Sequence, residues 1–141
     1  MKGRVMALEA WKDPDAAIPE AVRLFNGGQF FEAHEVLEEA WRATSGPMKQ
    51  FLKGLIHATV AFYQYERRNA HGACSKYYST HYYLSPFMPE FAGIEVEGLL
   101  TGMDEFFYPL PEGPEGPWRG ADWPYPLIRL YDPSQMGGLP Q

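Results

Sequence analysis

His34, Glu35 and Glu38 lie within five consecutive residues of the run Phe30-Phe-Glu-Ala-His-Glu-Val-Leu-Glu-Glu-Ala-Trp41. An imidazole with two carboxylates at this spacing is equipped for proton transfer or metal binding. On a helix at 100° per residue with His34 at zero, the apolar arc runs from Ala40 (about −120°) through Ala33, Leu37 and Phe30 to Trp41 (about −20°). His34 therefore stands at the edge of the buried face. Glu38 follows at about 40°, Phe31 at about 60° and Glu35 at about 100°, while Glu39 and Glu32, near 140° and 160°, are expected to face solvent. The working pair is thus His34 with Glu38, one turn apart beside the Trp41 ring, rather than the adjacent His34 and Glu35.

Three roles compete for this run. In a partly desolvated pocket, burial raises a carboxylate pKa and a neighbouring imidazolium lowers it, so Glu35 or Glu38 is a candidate catalytic acid/base. A metal version borrows from the HExxH zinc helix: His34 and Glu38 as ligands at i and i+4, Glu35 left to activate water, and His57 as the obvious third ligand. The ordinary alternative is structural, with a border histidine bonded to a nearby acid and Glu38 paired with Arg42 at i,i+4.

These side chains depend on the elements that carry them. The Gly27-Gly28 turn opens a helix from Phe30 to about Ala43, preceded by a short first helix over Ile18–Phe25 with Pro19 in its first turn. A third helix from Pro47 to about Arg68 is apolar over most of its circumference, as befits the middle of a bundle. Its one non-apolar stripe holds Gln50, Lys53, Gly54, His57, Ala61, Gln64 and Arg68, and is expected to meet solvent. If it faces helix two instead, Lys53 and His57 would offset Glu35 and Glu38 in a charged cleft, with Gly54 and Ala61 permitting close approach. A fourth helix spans about Ala70–Leu84, and a fifth follows Gly93 with Val96, Leu99, Leu100, Met103 and Phe107 at helical spacing.

Outside this body, residues 1–14 read as an arm ending at Asp13-Pro14. From Tyr108 onward the chain carries eight of its thirteen prolines, which a helix does not survive. Trp118, Trp123, Tyr125, Leu127, Ile128 and Leu130 are too many large apolar groups for a solvated linker, so the tail is expected to wrap extended across the helices, pinned near Trp123–Leu130. The expected organisation is an arm (1–14), a helical domain (15–107) and a packed Pro/Gly-rich tail (108–141).

A chain of 141 residues, 45% of them hydrophobic, is enough for one core. The single cysteine, Cys74, fits a reducing compartment, and no secretory or membrane-spanning stretch is evident, so a cytoplasmic protein is expected. A net charge of −6 argues against nucleic acid as the partner. Tyr77, Tyr78, His81, Tyr82 and Tyr83 put rings on several faces of helix four, and are expected to pack against the proline-rich tail rather than to form the alternative, a homo-oligomer surface.

The run Phe30–Trp41, followed by Gly46-Pro47, Phe51-Leu-Lys-Gly-Leu-Ile-His57, Gly72-Ala73 and Gly93-Ile94-Glu95, resembles the prokaryotic domain of unknown function family 309 over about residues 18–107. The resemblance implies a compact all-α fold and no settled activity. The sequence departs from that family's pattern at Lys53 and His57, where glutamines are expected, and His57 adds an ionisable group. The fold expected is an all-α array of about five helices with an extended tail. The functional reading is a helical binding or interaction domain for a small molecule or protein, with a polar pocket of His34, Glu38, Trp41, Lys53 and His57. The competing reading is a small hydrolase-like enzyme using His34-Glu35-x-x-Glu38, either by acid/base chemistry or with a divalent metal on His34, Glu38 and His57. No cofactor is otherwise expected.

Overall fold

The computed structural model of the chain describes residues 9–107 and 124–131. The Asp13-Pro14 pair, expected to end an arm, starts a helix instead. Asp13 caps α1 (Pro14–Asn26) by accepting from the Asp15 backbone N–H at 2.9 Å, and Pro14 occupies a first-turn position where its missing N–H costs nothing. Pro19 consequently falls inside the helix rather than in its first turn. Gly28, at φ +78°, stops α1 and turns the chain into α2 (Phe30–Arg42).

Helix α3 (Gly46–Glu66) runs back beside α2 and is the centre of the molecule, burying Phe51, Leu52, Leu55, Ala58, Ala61, Phe62 and Tyr65 among others. Around the fully buried Phe62 ring stand Phe25 of α1, Phe30 of α2, and Phe106 and Phe107 of the last helix, with ring centroids 4.9–5.5 Å away. Such a cluster combines large apolar burial with favourable edge-to-face geometry.

Helix α4 (Ala70–Leu84) packs along α3. The contact is close at Gly54: a Cβ there would lie 2.6 Å from Leu84 Cγ and 3.1 Å from Tyr83 Cβ. Gly54 thus permits close approach to α4, not to α2 as the helix-three stripe suggested. Of the four α4 tyrosines, Tyr78 and Tyr82 are exposed, whereas Tyr77 is buried and Tyr83 half-buried.

After a short 3-10 turn (Ser85–Phe87), two strands too brief for any sequence period form a hairpin. β1 (Glu90–Phe91) pairs antiparallel with β2 (Ile94–Glu95), and Ala92 and Gly93 both take positive φ, the pattern that matches the twist of a two-residue hairpin turn. Helix α5 (Val96–Phe107) then buries Leu99, Leu100, Met103, Phe106 and Phe107. The fold is therefore helical, as expected, apart from this hairpin.

The segment 124–131 lies across the helices. Tyr125 enters the aromatic cluster 5.5 Å from Phe62, Pro126 covers Gly102, and the Asn26 side chain both donates to the Ile128 carbonyl (2.9 Å) and accepts from its N–H (2.8 Å). Beyond it, Leu130 bridges Ile94, with Arg129 and Tyr131 bonded to the β2 edge at Glu95 and Gly93. The remaining parts of the expected arm and tail, 1–8, 108–123 and 132–141, fall outside the described residues. Among the described residues, no helix is long and apolar enough to cross a membrane.

Gly54→Ala is expected to lose about 1–3 kcal/mol in urea unfolding despite alanine's better helix propensity, because Leu84 is fully buried and has nowhere to go. Gly98→Ala, exposed on α5 where an added Cβ would meet only the Glu95 side chain at ordinary contact distance, is expected to gain up to about 1 kcal/mol in the same measurement.

Candidate functional site

Antiparallel neighbours α2 and α3 each present one stripe to the groove between them. From α2 come His34, Glu38 and Trp41, spaced by four and three residues; from α3 come Lys53, Ile56, His57 and Val60, spaced by three, one and three. With Lys76 of α4 they line a pocket of about 290 Å³. Five residues named from the sequence, His34, Glu38, Trp41, Lys53 and His57, stand on its wall. The helix-three stripe, expected to meet solvent, therefore supplies one side of a pocket at Lys53 and His57. Glu35 is partly buried and engaged elsewhere, and does not line this pocket.

On α2 the acids differ in position and company. His34 Nε2 lies 3.1 Å from Glu38 Oε2, and Arg42 Nη2 donates to Glu38 Oε1 at 3.0 Å, so both oxygens of Glu38 are occupied. Arg42 Nη1 also donates to Glu39 at 2.6 Å. That pair folds Glu39 against the helix, leaving its side chain only 25% exposed where the wheel placed it in solvent. The buried arc is also wider than the wheel allowed, because Val36 is buried as well. Phe31, at the other end of the stripe, remains 46% exposed.

The α3 and α4 walls are cationic. Lys53 Nζ lies 5.2 Å from the Trp41 ring and 5.9 Å from the Tyr83 ring, and Lys49 Nζ sits 4.1 Å over Trp41. Such placement over aromatic faces favours a cation without neutralising it. Neither Lys53 nor Lys76 has a carboxylate partner among the described residues. Lys76 is a site residue the sequence reading missed. Its signal was modest: it is the lone lysine or arginine of a tyrosine-rich helix.

His57 lies between these lysines with its ring edge-on to Tyr83, centroids 5.2 Å apart. Its Nδ1 is buried and has no hydrogen-bond partner among the described residues, an exception to the rule that buried polar atoms are paired. Burial first, then the Lys76 and Lys53 charges, depress the imidazole from its ordinary 6.5 to about 4. It is a neutral ring at physiological pH.

The candidate ligand set is His34, Glu38 and His57. Among the described residues, no three His, Cys, Asp or Glu side chains are gathered where they could hold one metal ion. The physical reason is that His34 and Glu38 turn toward each other and Arg42, while His57 packs against Tyr83 under two ammonium groups.

A further polar cluster escaped the sequence reading. The Tyr77 hydroxyl donates to Asp104 Oδ1 at 2.7 Å, and His81 Nε2 meets the same oxygen at 2.6 Å. Burial and the Asp104 charge raise the Tyr77 pKa, so its hydroxyl stays a donor and ties α4 to α5.

His57 gives folding a pH dependence. From about pH 6.5 down to about 4 the unfolded imidazole binds a proton that the folded one does not. The unfolded state carries more protons across this window, so stability falls as the pH drops through it. With part of the ring in contact with solvent, the loss is about 1–2 kcal/mol. Urea unfolding at pH 7 and pH 4.5 should show the native chain losing that much more than His57→Gln. Equal losses would mean that the folded ring accepts its proton normally.

Residues 18–75 match the family described as a domain of unknown function, DUF309, the same family that the sequence pattern resembles. The match spans α1 to α3 and the first turns of α4, ends one residue before Lys76, and does not extend to residue 107 as the resemblance did. No curated protein matches the chain.

Proposed function

We propose that this helical domain binds a small organic anion in the pocket between α2, α3 and α4. The observation that carries this reading is the convergence of Lys53 and Lys76, from two different helices, on one pocket without a carboxylate partner among the described residues. Glu38 shares the pocket, yet His34 and Arg42 occupy its oxygens, so it offsets the lysines only weakly. After burial, the Lys76 and Lys53 charges further lower the His57 pKa, in keeping with a positive potential there. A local cationic pocket in a chain of net charge −6 favours one anion in one place, because the surrounding surface repels anions in general. The volume suits a small metabolite at the lower end of ligand pockets.

The hydrolase-like reading of His34-Glu35-x-x-Glu38 is less well supported. It calls on Glu38, which pairs with Arg42, or on Glu35, which is not on the pocket wall. The acidic charge balance speaks against nucleic acid, and the lone Cys74 suits a cytoplasmic setting.

Amide NMR at low salt, with phosphate, acetate and benzoate as probes, tests the reading. At least one anion is expected to shift the signals of Lys53, His57 and Lys76 saturably, and to bind about tenfold or more weakly in Lys53→Met and in Lys76→Met, since a charge-assisted hydrogen bond is worth about 1.5–3 kcal/mol. No saturable shift with any of the three would overturn it.

A further inference from the structure

The anion pocket continues along the groove into a second cavity. This one, of about 180 Å³, is lined by Phe31 and His34 of α2 and by Val60, Tyr63 and Gln64 of α3. The two cavities share His34 and Val60. Order along the helices explains why they adjoin. Trp41, Glu38, His34 and Phe31 descend α2 as Lys53, His57, Val60 and Tyr63 ascend α3, so successive turns face each other across one groove.

The second cavity differs in character from the first. Its walls carry no lysine, arginine or carboxylate. Phe31 leans on both the His34 ring (6.0 Å) and the Tyr63 ring (5.7 Å). Arg67 bonds the Tyr63 hydroxyl at 3.1 Å and lies 5.4 Å over that ring, which fixes its plane. At the end of the cavity, the Gln64 side-chain oxygen accepts from Asn69 at 3.0 Å, so its NH₂ group is the end left to donate. The result is an aromatic slot, with a polar donor at its end, next to a cationic pocket. His34 separates them, steadied by Glu38 on the pocket side and by Phe31 on the slot side.

We propose that the ligand is an aromatic anion: a carboxylate or phosphate held by Lys53 and Lys76, joined by a short linkage to a planar ring that lies in the Phe31/Tyr63 slot beside His34. This deepens the anion reading and rests on it. The ring covers the exposed face of Phe31, an apolar surface that otherwise meets water, and stacking on aromatic walls selects a flat group over a branched aliphatic one. His34 then acts on specificity, since its ring position sets the length of linkage that passes from pocket to slot.

Calorimetric titration of the full chain tests this with two matched pairs, propionate against phenylpropionate and inorganic phosphate against phenyl phosphate. In at least one pair, the ring is expected to tighten binding about tenfold or more. The pair that responds identifies the head group as carboxylate or phosphate. In Phe31→Ala, which removes a half-exposed side chain, the ratio between ring-bearing and parent anion is expected to fall to about twofold or less; cyclohexylpropionate is expected to gain less than phenylpropionate. Parent anions that bind while the ring adds nothing in either pair would overturn the aromatic proposal and leave the anion pocket standing. If no anion binds, with or without a ring, both readings fall.

Discussion

Phe62 is where α1, α2, α5 and the segment 124–131 meet α3. Rings from α1, α2, α5 and the segment carrying Tyr125 all close on it within 5.5 Å, so the side of α3 that holds Phe62 is wholly committed to packing. Gly54 and its neighbours give a second side to α4. What remains over the middle turns is a stripe from Lys53 through His57 and Val60 to Gln64, which carries the ionisable groups there, while the buried Thr59 hydroxyl donates to the Leu55 carbonyl. The groove between α2 and α3 thus follows from how the core is shared out. Its chemistry follows from which residues occupy the last free stripe.

Within that groove, charge is arranged by distance rather than by count. Arg42 and His34 hold Glu38 close to α2, which leaves the lysines of the opposite walls without a carboxylate partner among the described residues. Lys53 is kept over aromatic faces, where attraction to the ring does not require it to surrender its charge. Burial first, and then these charges, keep the His57 ring neutral. In this HExxE run the second glutamate pairs with the neighbouring arginine, and the first does not line the pocket.

Much of this was legible before any coordinates. The second helix could be bounded by Gly28 and the Ser45-Gly46-Pro47 break, and the fourth by its start after Asn69 and the Ser85-Pro86 stop, because these are local devices. The wheel also set His34 and Glu38 together near Trp41, since i,i+4 neighbours on a helix need no tertiary information. Failures came where a residue's role depends on a partner element. Asp13-Pro14 is both a loop signal and a helix start, and only the packing of Ala17 and Ile18 decides between them. Val36 lay outside the predicted arc because α2 is buried against two helices, which widens its apolar face beyond one stripe. Lys76 and the contacts of Gly54 depend on how α4 crosses α3, and a helix with rings on several faces does not encode that crossing in its own period. The Glu90–Glu95 hairpin is too short to have a period at all.

The interlock of Gly54 with Leu84 also has a mechanical side. Two helices in contact through a glycine and a fully buried leucine cannot slide or splay without opening a void, so α3 and α4 behave as one stiff jaw. The two ammonium groups are mounted on that jaw, and the gap between their anchors is set before any ligand arrives. The opposite jaw is α2, reached from α3 through the short 43–45 link and bearing a histidine, a glutamate and a half-exposed phenylalanine along its edge. On the proposed reading, the α3–α4 face holds the ammonium groups at a spacing fixed by that interlock, and α2 forms the facing wall.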